Sequence, residues 1–193
     1  MKYPVIEHFY SLQGEGVYLG TPAHFIRFAG CNLRCSWCDT QESWQEDTAQ
    51  WLSVDSLVDD IRCERVILTG GEPSLHDLGP LVKTLKERGH AVAIETNGTR
   101  SLPTEWQIDW VSASPKPDSH YALNCQADEL KYVVDDKLTL EDIQWDAVPK
   151  GRIFLQIEGG KSQSAQKAMD WVLSHPEKNI RLGIQLHKLL DFR

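Results

Sequence analysis

Short apolar runs bounded by glycine, proline and charge recur along the chain, and their periods predict alternating strands and helices. Residues 5–10 and 23–28 read as strands, the second carried by Phe25-Ile26-Arg27-Phe28. A glycine-rich stretch, Gln13-Gly14-Glu15-Gly16, and then Gly20-Thr21-Pro22 separate the two. Further strands are predicted over 65–69, 91–95, 108–113, 129–134, 153–157 and 180–186. Helical spacing marks 53–61, with Ser53 as N-cap and Val54, Leu57, Val58 and Ile61 on one face. It also marks 78–88, which Gly89 stops. A third helix is predicted over 164–173, capped by Ser162 or Ser164, with Ala165, Ala168, Met169 and Val172 inward.

Strands alternating with helices predict α/β architecture with a mostly parallel sheet. No repeat, low-complexity tract or linker divides the chain, so residues 1–193 are expected to form one domain. A complete eight-fold β/α barrel needs about 250 residues. The pattern therefore favours an incomplete, open parallel β/α barrel of about six core strands.

A chain of 193 residues, 41% hydrophobic, can bury a core without disulfide staples. Its net charge of −8 argues against a broad nucleic-acid or membrane surface. No apolar run is long enough to span a bilayer. Met1-Lys2-Tyr3-Pro4 begins neither a secretory signal nor an Arg-rich transit peptide, so a cytoplasmic protein is expected. Five cysteines are an odd number for a disulfide framework and suit a reducing compartment. Cys63 and Cys125 stand alone and read as buried thiols.

The other three cysteines lie within eight residues, Cys31-Asn32-Leu33-Arg34-Cys35-Ser36-Trp37-Cys38, in a loop leaving a strand end. Thiolates this close can address one centre. A structural zinc site takes four ligands and would draw its fourth from Cys63, Cys125, His24 or Asp39. A four-iron cluster can take three and leave one iron open to a ligand. Gly70-Gly71-Glu72-Pro73, after an apolar strand, is either a tight turn or a place where a ligand approaches bare backbone. In the second case Glu72 offers an anion to an ammonium group.

The Cys-x3-Cys-x2-Cys spacing, the aromatic Trp37 before the third cysteine and the Gly-Gly-Glu segment together resemble the radical S-adenosylmethionine superfamily. The resemblance implies a [4Fe-4S] cluster on Cys31, Cys35 and Cys38, whose open iron is chelated by S-adenosylmethionine. One electron then cleaves the sulfonium bond, and the adenosyl radical removes a hydrogen atom from the substrate.

Ser11-Leu12-Gln13-Gly14-Glu15-Gly16, Arg27-Phe28-Ala29-Gly30-Cys31-Asn32-Leu33 and Trp37-Cys38-Asp39-Thr40 narrow the resemblance to the 7-carboxy-7-deazaguanine synthase family. Ser114-Pro115-Lys116 and Gln185-x-His187-Lys188 extend it to the end of the chain. It implies a carbon–nitrogen lyase of queuosine biosynthesis. The reaction is the radical ring contraction of 6-carboxy-5,6,7,8-tetrahydropterin with loss of ammonia. The tRNA connection runs through the pathway, without nucleic-acid contact. Flavodoxin or ferredoxin is the implied electron donor, and a homodimer the implied assembly.

By the same resemblance, Leu12, Gln13, Gly14, Glu15, Arg27, Thr69, His187 and Arg193 meet the pterin, and Thr40 holds Mg2+. Trp37, Cys38, Asp39, Gly71, Glu72, Ser114, Pro115, Lys116, Gln156 and Gly159 meet S-adenosylmethionine, the last two matched by position rather than identity. The chain ends in Leu190-Asp191-Phe192-Arg193 where the family ends in proline. Residue chemistry agrees where it speaks: Arg27 suits a bidentate carboxylate clamp. Magnesium alone would have favoured Asp39 over Thr40. Two other readings are a small glycyl-radical activase, which needs a protein-docking surface, and a zinc-stabilised binding module.

Overall fold

The computed structural model describes residues 1–192; Arg193 lies outside the described residues. β1 (Lys2–Leu12) and β2 (Pro22–Phe28) form an antiparallel hairpin, with Tyr10 opposite His24 and Leu12 opposite Pro22. β3 (Gln50–Ser53) pairs antiparallel with the outer side of β1. β4 (Arg65–Gly70), β5 (Ala91–Thr96), β6 (Trp110–Ala113), β7 (Glu129–Val134), β8 (Ile153–Ile157) and β9 (Arg181–Gly183) follow β2. Every pairing from β2 onward is parallel. One nine-stranded sheet results, in the order β3-β1-β2-β4-β5-β6-β7-β8-β9. Its two edges are strands of four and three residues, short enough to offer little template for foreign pairing.

The period-2 alternation sorts residues between the two faces. Ile26 and Phe28 of β2, Val66 and Leu68 of β4, and Val92 and Ile94 of β5 face α1 (Val54–Val58) and α2 (Gly79–Glu87) in one core. Leu130, Tyr132 and Val134 of β7 join Ile153 and Leu155 of β8 in a second, covered by Ala168 of α3 (Ser162–Ser174). On the opposite face, Ala23, Ile67 and Ala93 pack with Phe25 and Trp110 near the strand starts. Toward the strand ends that same face turns polar, with Arg27, Thr69, Glu95, Lys131 and Gln156. The polar end is where a ligand fits: in parallel α/β sheets, sites form beyond the carboxyl ends of the strands.

Most elements fall where the sequence predicts, with local differences. Ser53 caps α1, its hydroxyl accepting the Ser56 N–H at 3.2 Å. Gly89, at φ +85°, ends the turn after α2. β6 starts at Trp110 rather than 108. Gln107 is left-handed, and Asp109 spends its carboxylate on the Val92 N–H at 2.7 Å. In α3 neither serine caps: Lys161 stands at the cap, and Ser164 turns its hydroxyl inward to the Glu158 N–H at 2.8 Å. The buried face is consequently Ser164 and Ala168, leaving Met169 exposed. The strand predicted over 180–186 is limited to β9, because Gln185 caps α4 (Leu186–Leu190). Cys63 and Cys125 are half-buried rather than enclosed.

Candidate active site at the strand carboxyl ends

A cavity of about 510 Å³ opens at these strand ends, within the range of small-molecule sites. The cysteine loop forms one side. Backbone bonds anchor it, Gly30 N–H to Ser43 O at 2.8 Å and Cys31 N–H to Trp44 O at 3.3 Å. Asn32 ties it to the end of β5, accepting from Asn97 Nδ2 at 2.9 Å and donating to Thr99 Oγ1 at 2.8 Å. Cys31, Cys35 and Cys38 all line the cavity, and all three are free thiols. Burial pushes the Cys35 thiol up to about 11 and raises Cys31 as well. A bound cation would draw the protons off Cys31 and Cys35, as a coordinated metal does.

The Gly-Gly-Glu segment sits against that loop. Gly71 donates to Phe28 O at 3.0 Å, and Glu72 N–H to Gly30 O at 2.7 Å. A Cβ on Gly71 would overlap the Gly30 and Ser43 carbonyl oxygens. Gly71 lines the cavity; Glu72 does not. The Glu72 carboxylate is fully buried and turned inward. It accepts from Ser74 N–H at 3.0 Å, Thr96 Oγ1 at 2.7 Å and Asn97 N–H at 2.6 Å. Three intramolecular donors occupy it, and it braces the turns after β4 and β5.

The hairpin loop between β1 and β2 forms the opposite wall. Gln13 closes the loop, its N–H reaching Thr21 O at 2.8 Å, and its side chain donates to Glu95 Oε1 at 2.9 Å. Glu15 accepts from Lys131 Nζ at 2.8 Å and from Gln185 Nε2 at 2.8 Å. Lys131 also pairs with Glu95. Burial works to raise the Glu15 carboxyl, but the charge and hydrogen bond of Lys131, with the Gln185 hydrogen bond and the His187 charge, outweigh it and hold the group below the usual carboxylate range. Glu95 goes the other way: its burial exceeds the pull of Lys131, and Glu15 and Glu129 add repulsion. Among these carboxylates Lys131 is held protonated despite its burial.

Arg27 lines the same wall, its Nε donating to Glu7 Oε1 at 2.8 Å. The chain returns here at its end. Leu186 N–H reaches Gly14 O at 2.9 Å, and the His187 ring occupies the space a Cβ on Gly14 would need. Lys188 pairs with Asp39 at 2.7 Å. Burial would raise the Asp39 carboxyl, yet hydrogen bonds from Lys188, Gln185 and Thr40, with the Lys188 charge, hold it at about 2.

The cavity also gathers Leu12, Thr40, Thr69, Ser114, Lys116 and Gly159 from the sequence-predicted set, together with Ile157 and Glu158. Gln156 lines it with both side-chain polar atoms buried and unpartnered. Pro115 is buried and does not line the cavity, and Arg193 lies outside the described residues. Sequence reasoning missed Glu95, Lys131 and a role for Gln185. The first two carried a signal: charged residues at every second position of otherwise apolar strands, as in Glu129-Leu130-Lys131.

Comparison with known proteins agrees with this geometry. The model of the Radical SAM superfamily matches residues 25–116, from β2 to the Ser-Pro-Lys turn. A 7-carboxy-7-deazaguanine synthase from Bacteroides thetaiotaomicron is 42% identical over 197 residues, covering 100% of both chains. One from Synechocystis is 37% identical, covering 100% of this chain and 95% of that protein. The crystal structure of QueE from Escherichia coli superposes with a TM-score of 0.77 at 30% identity, over 97% of this chain and 95% of that one.

Proposed function

Because the chain belongs to the 7-carboxy-7-deazaguanine synthase family of radical S-adenosylmethionine enzymes, we propose that its cavity carries out that family's reaction. The reaction is the ring contraction of 6-carboxy-5,6,7,8-tetrahydropterin with loss of ammonia. The carrying observation is continuity: one cavity joins three free thiols to a wall holding Glu15 and Arg27. A radical generated beside the thiols needs its substrate within direct reach.

The residues divide by chemistry. Cys31, Cys35 and Cys38 would hold the [4Fe-4S] cluster, which with S-adenosylmethionine supplies the radical. For that cofactor, Gly71 allows close approach of the backbone, and Trp37 and Asp39 form a wall. Lys116, beside Ser114, offers a cation to its carboxylate, and the unpartnered amide of Gln156, next to Gly159, hydrogen-bonds it. For the pterin, Glu15 accepts from the ring's N–H edge because Lys131 keeps it ionised. The main chain of Leu12–Gly14, with Gln13, reads the rest of that edge. Arg27 addresses the substrate carboxylate, and Thr69 and His187 close the wall.

Thr40 would hold Mg2+ jointly with the substrate. Asp39 is already neutralised by Lys188, which favours a neutral hydroxyl as the protein's ligand. The seven parallel strands, with their inner ends polar, are consistent with an incomplete barrel in a single domain of residues 1–193. Flavodoxin or ferredoxin would reduce the cluster, in a homodimer.

Anaerobic reconstitution tests the reading. The protein should take up about four irons per chain. Given S-adenosylmethionine, reductant, Mg2+ and the pterin, it should release a deazapurine one ammonia lighter than substrate. Cofactor cleavage without that product would overturn the substrate assignment.

A further inference from the structure

We propose that Asp135 is a positioning residue for the cofactor half of the cavity, acting through Trp37. The proposal rests on the reading of Trp37 as a cofactor contact. Asp135 follows the end of β7 and is buried, 7% exposed. Its Oδ1 accepts the N–H groups of Lys137 at 3.0 Å and Leu138 at 2.9 Å. Its carbonyl oxygen accepts from Lys167 Nζ at 2.8 Å. The carboxylate is therefore oriented by its own turn, independently of the cysteine loop.

The other oxygen, Oδ2, accepts the Trp37 indole N–H at 2.9 Å across 98 residues of sequence. The face of the same ring meets Lys116 Nζ, 4.9 Å from its centroid. Trp37 is thus fixed by edge and by face, on the cavity wall, one residue before Cys38. Asn32 anchors the start of the cysteine loop to the end of β5. The indole bond is accordingly placed to set the aromatic wall while leaving the thiol backbone held elsewhere.

Only a carboxylate meets both demands here. An asparagine turned to satisfy the Lys137 and Leu138 N–H groups presents its own N–H to the indole N–H. Turned the other way, it presents N–H to the turn. The strand face leading to this point also fastens loops, since Glu129 accepts the Val17 N–H at 2.8 Å and Lys131 holds Glu15. Residues two apart on β7 thereby secure the hairpin loop, and Asp135 just beyond the strand secures the cysteine loop.

The test compares reconstituted wild type, D135N, W37F and the double variant. Iron content, the dissociation constant of S-adenosylmethionine, its effect on the reduced cluster's paramagnetic resonance signal, and the pterin KM are measured. A charge-assisted bond of this kind predicts about tenfold weaker cofactor binding in D135N, with iron content and pterin KM unchanged. In the W37F background the same substitution should change cofactor binding by less than about twofold, because the donor is already gone. Wild-type affinity in D135N, or an equal loss in both backgrounds, would overturn the proposal. Should D135N fail to fold, W37F decides alone, since it removes the donor and leaves the turn intact; wild-type affinity in W37F overturns it. A wild-type protein that binds iron but no S-adenosylmethionine would instead overturn the functional reading beneath it.

Discussion

Lys131 Nζ stands 2.8 Å from Glu15 Oε2 across 116 residues of sequence, with Glu95 on its other side. The pair joins β7 to the hairpin loop and fixes the ionisation state of the wall proposed to face the substrate. Lys131→Met should destabilise the fold by about 3–5 kcal/mol, the usual cost of stranding a buried charge. Chemical denaturation measures this. The loss should fall on substrate rather than cofactor: the pterin KM rises well over about tenfold, while S-adenosylmethionine binding and iron content hold.

The same pair predicts a pH effect with a definite sign. In the folded wild type the Glu15 carboxyl is lowered, so its contribution to stability is present above the ordinary carboxylate range. That contribution is lost as pH falls through the lowered folded value. Removing Lys131 leaves burial as the dominant influence, and burial raises a carboxyl. The acid limb of a pterin KM profile should therefore move to higher pH in Lys131→Met. An unmoved limb would detach Glu15 from substrate binding.

Glu72→Ala should behave as a structural lesion and not as the loss of a ligand contact. Three donors, Ser74 N–H, Thr96 Oγ1 and Asn97 N–H, lose their acceptor in the interior. Each stranded group costs about 1–3 kcal/mol. The melting temperature should fall sharply and iron retention with it, because Asn97 also holds Asn32 of the cysteine loop. In the fraction that keeps its cluster, the KM for S-adenosylmethionine should be close to wild type.

This outcome also marks what the chain discloses before folding. The cysteine spacing, the Gly-Gly pair and the hairpin loop are local, and each could be read from adjacent residues. Glu72 looked like part of the same local message, but two of its three partners, Thr96 and Asn97, lie more than twenty residues away, at the end of β5. The Lys131–Glu15 and Asp135–Trp37 bonds are longer in sequence still. They exist because parallel pairing brings strand ends together, and no window of sequence contains both partners. β3 escaped for another reason: Gln50-Trp51-Leu52-Ser53 is a short edge with no apolar alternation to announce it.

Thr40→Ala separates metal from cluster. The short turn Gln41–Trp44 takes no cap from the Thr40 side chain; its backbone carbonyl serves instead, accepting Ser43 N–H at 3.1 Å and Ser43 Oγ at 2.7 Å. Removing the hydroxyl should leave the turn, and the cluster, in place. The concentration of Mg2+ giving half-maximal rate should rise by about tenfold, the value of one lost ligand contact of ~1.4 kcal/mol. Iron lost from this variant would make Thr40 structural.

His24 provides a stability prediction away from the cavity. It is buried in β2, with Nδ1 unpartnered and Nε2 only 3.4 Å from His8 Nδ1. Burial lowers its pKa to about 4; the His8 and His90 charges push the same way, and Asp60 opposes them. A histidine lowered on folding binds its proton more readily in the unfolded chain. Stability is then full above the unfolded value near 6.5 and declines as pH falls from there toward the folded value of about 4. The decline should amount to on the order of 3 kcal/mol, from 1.36 kcal/mol per unit of pKa difference. Urea denaturation at pH values between about 4 and 7 reads it directly. His24→Leu, which fills the space without a titrating group, should flatten that slope. An unchanged slope would place the acid sensitivity in other groups.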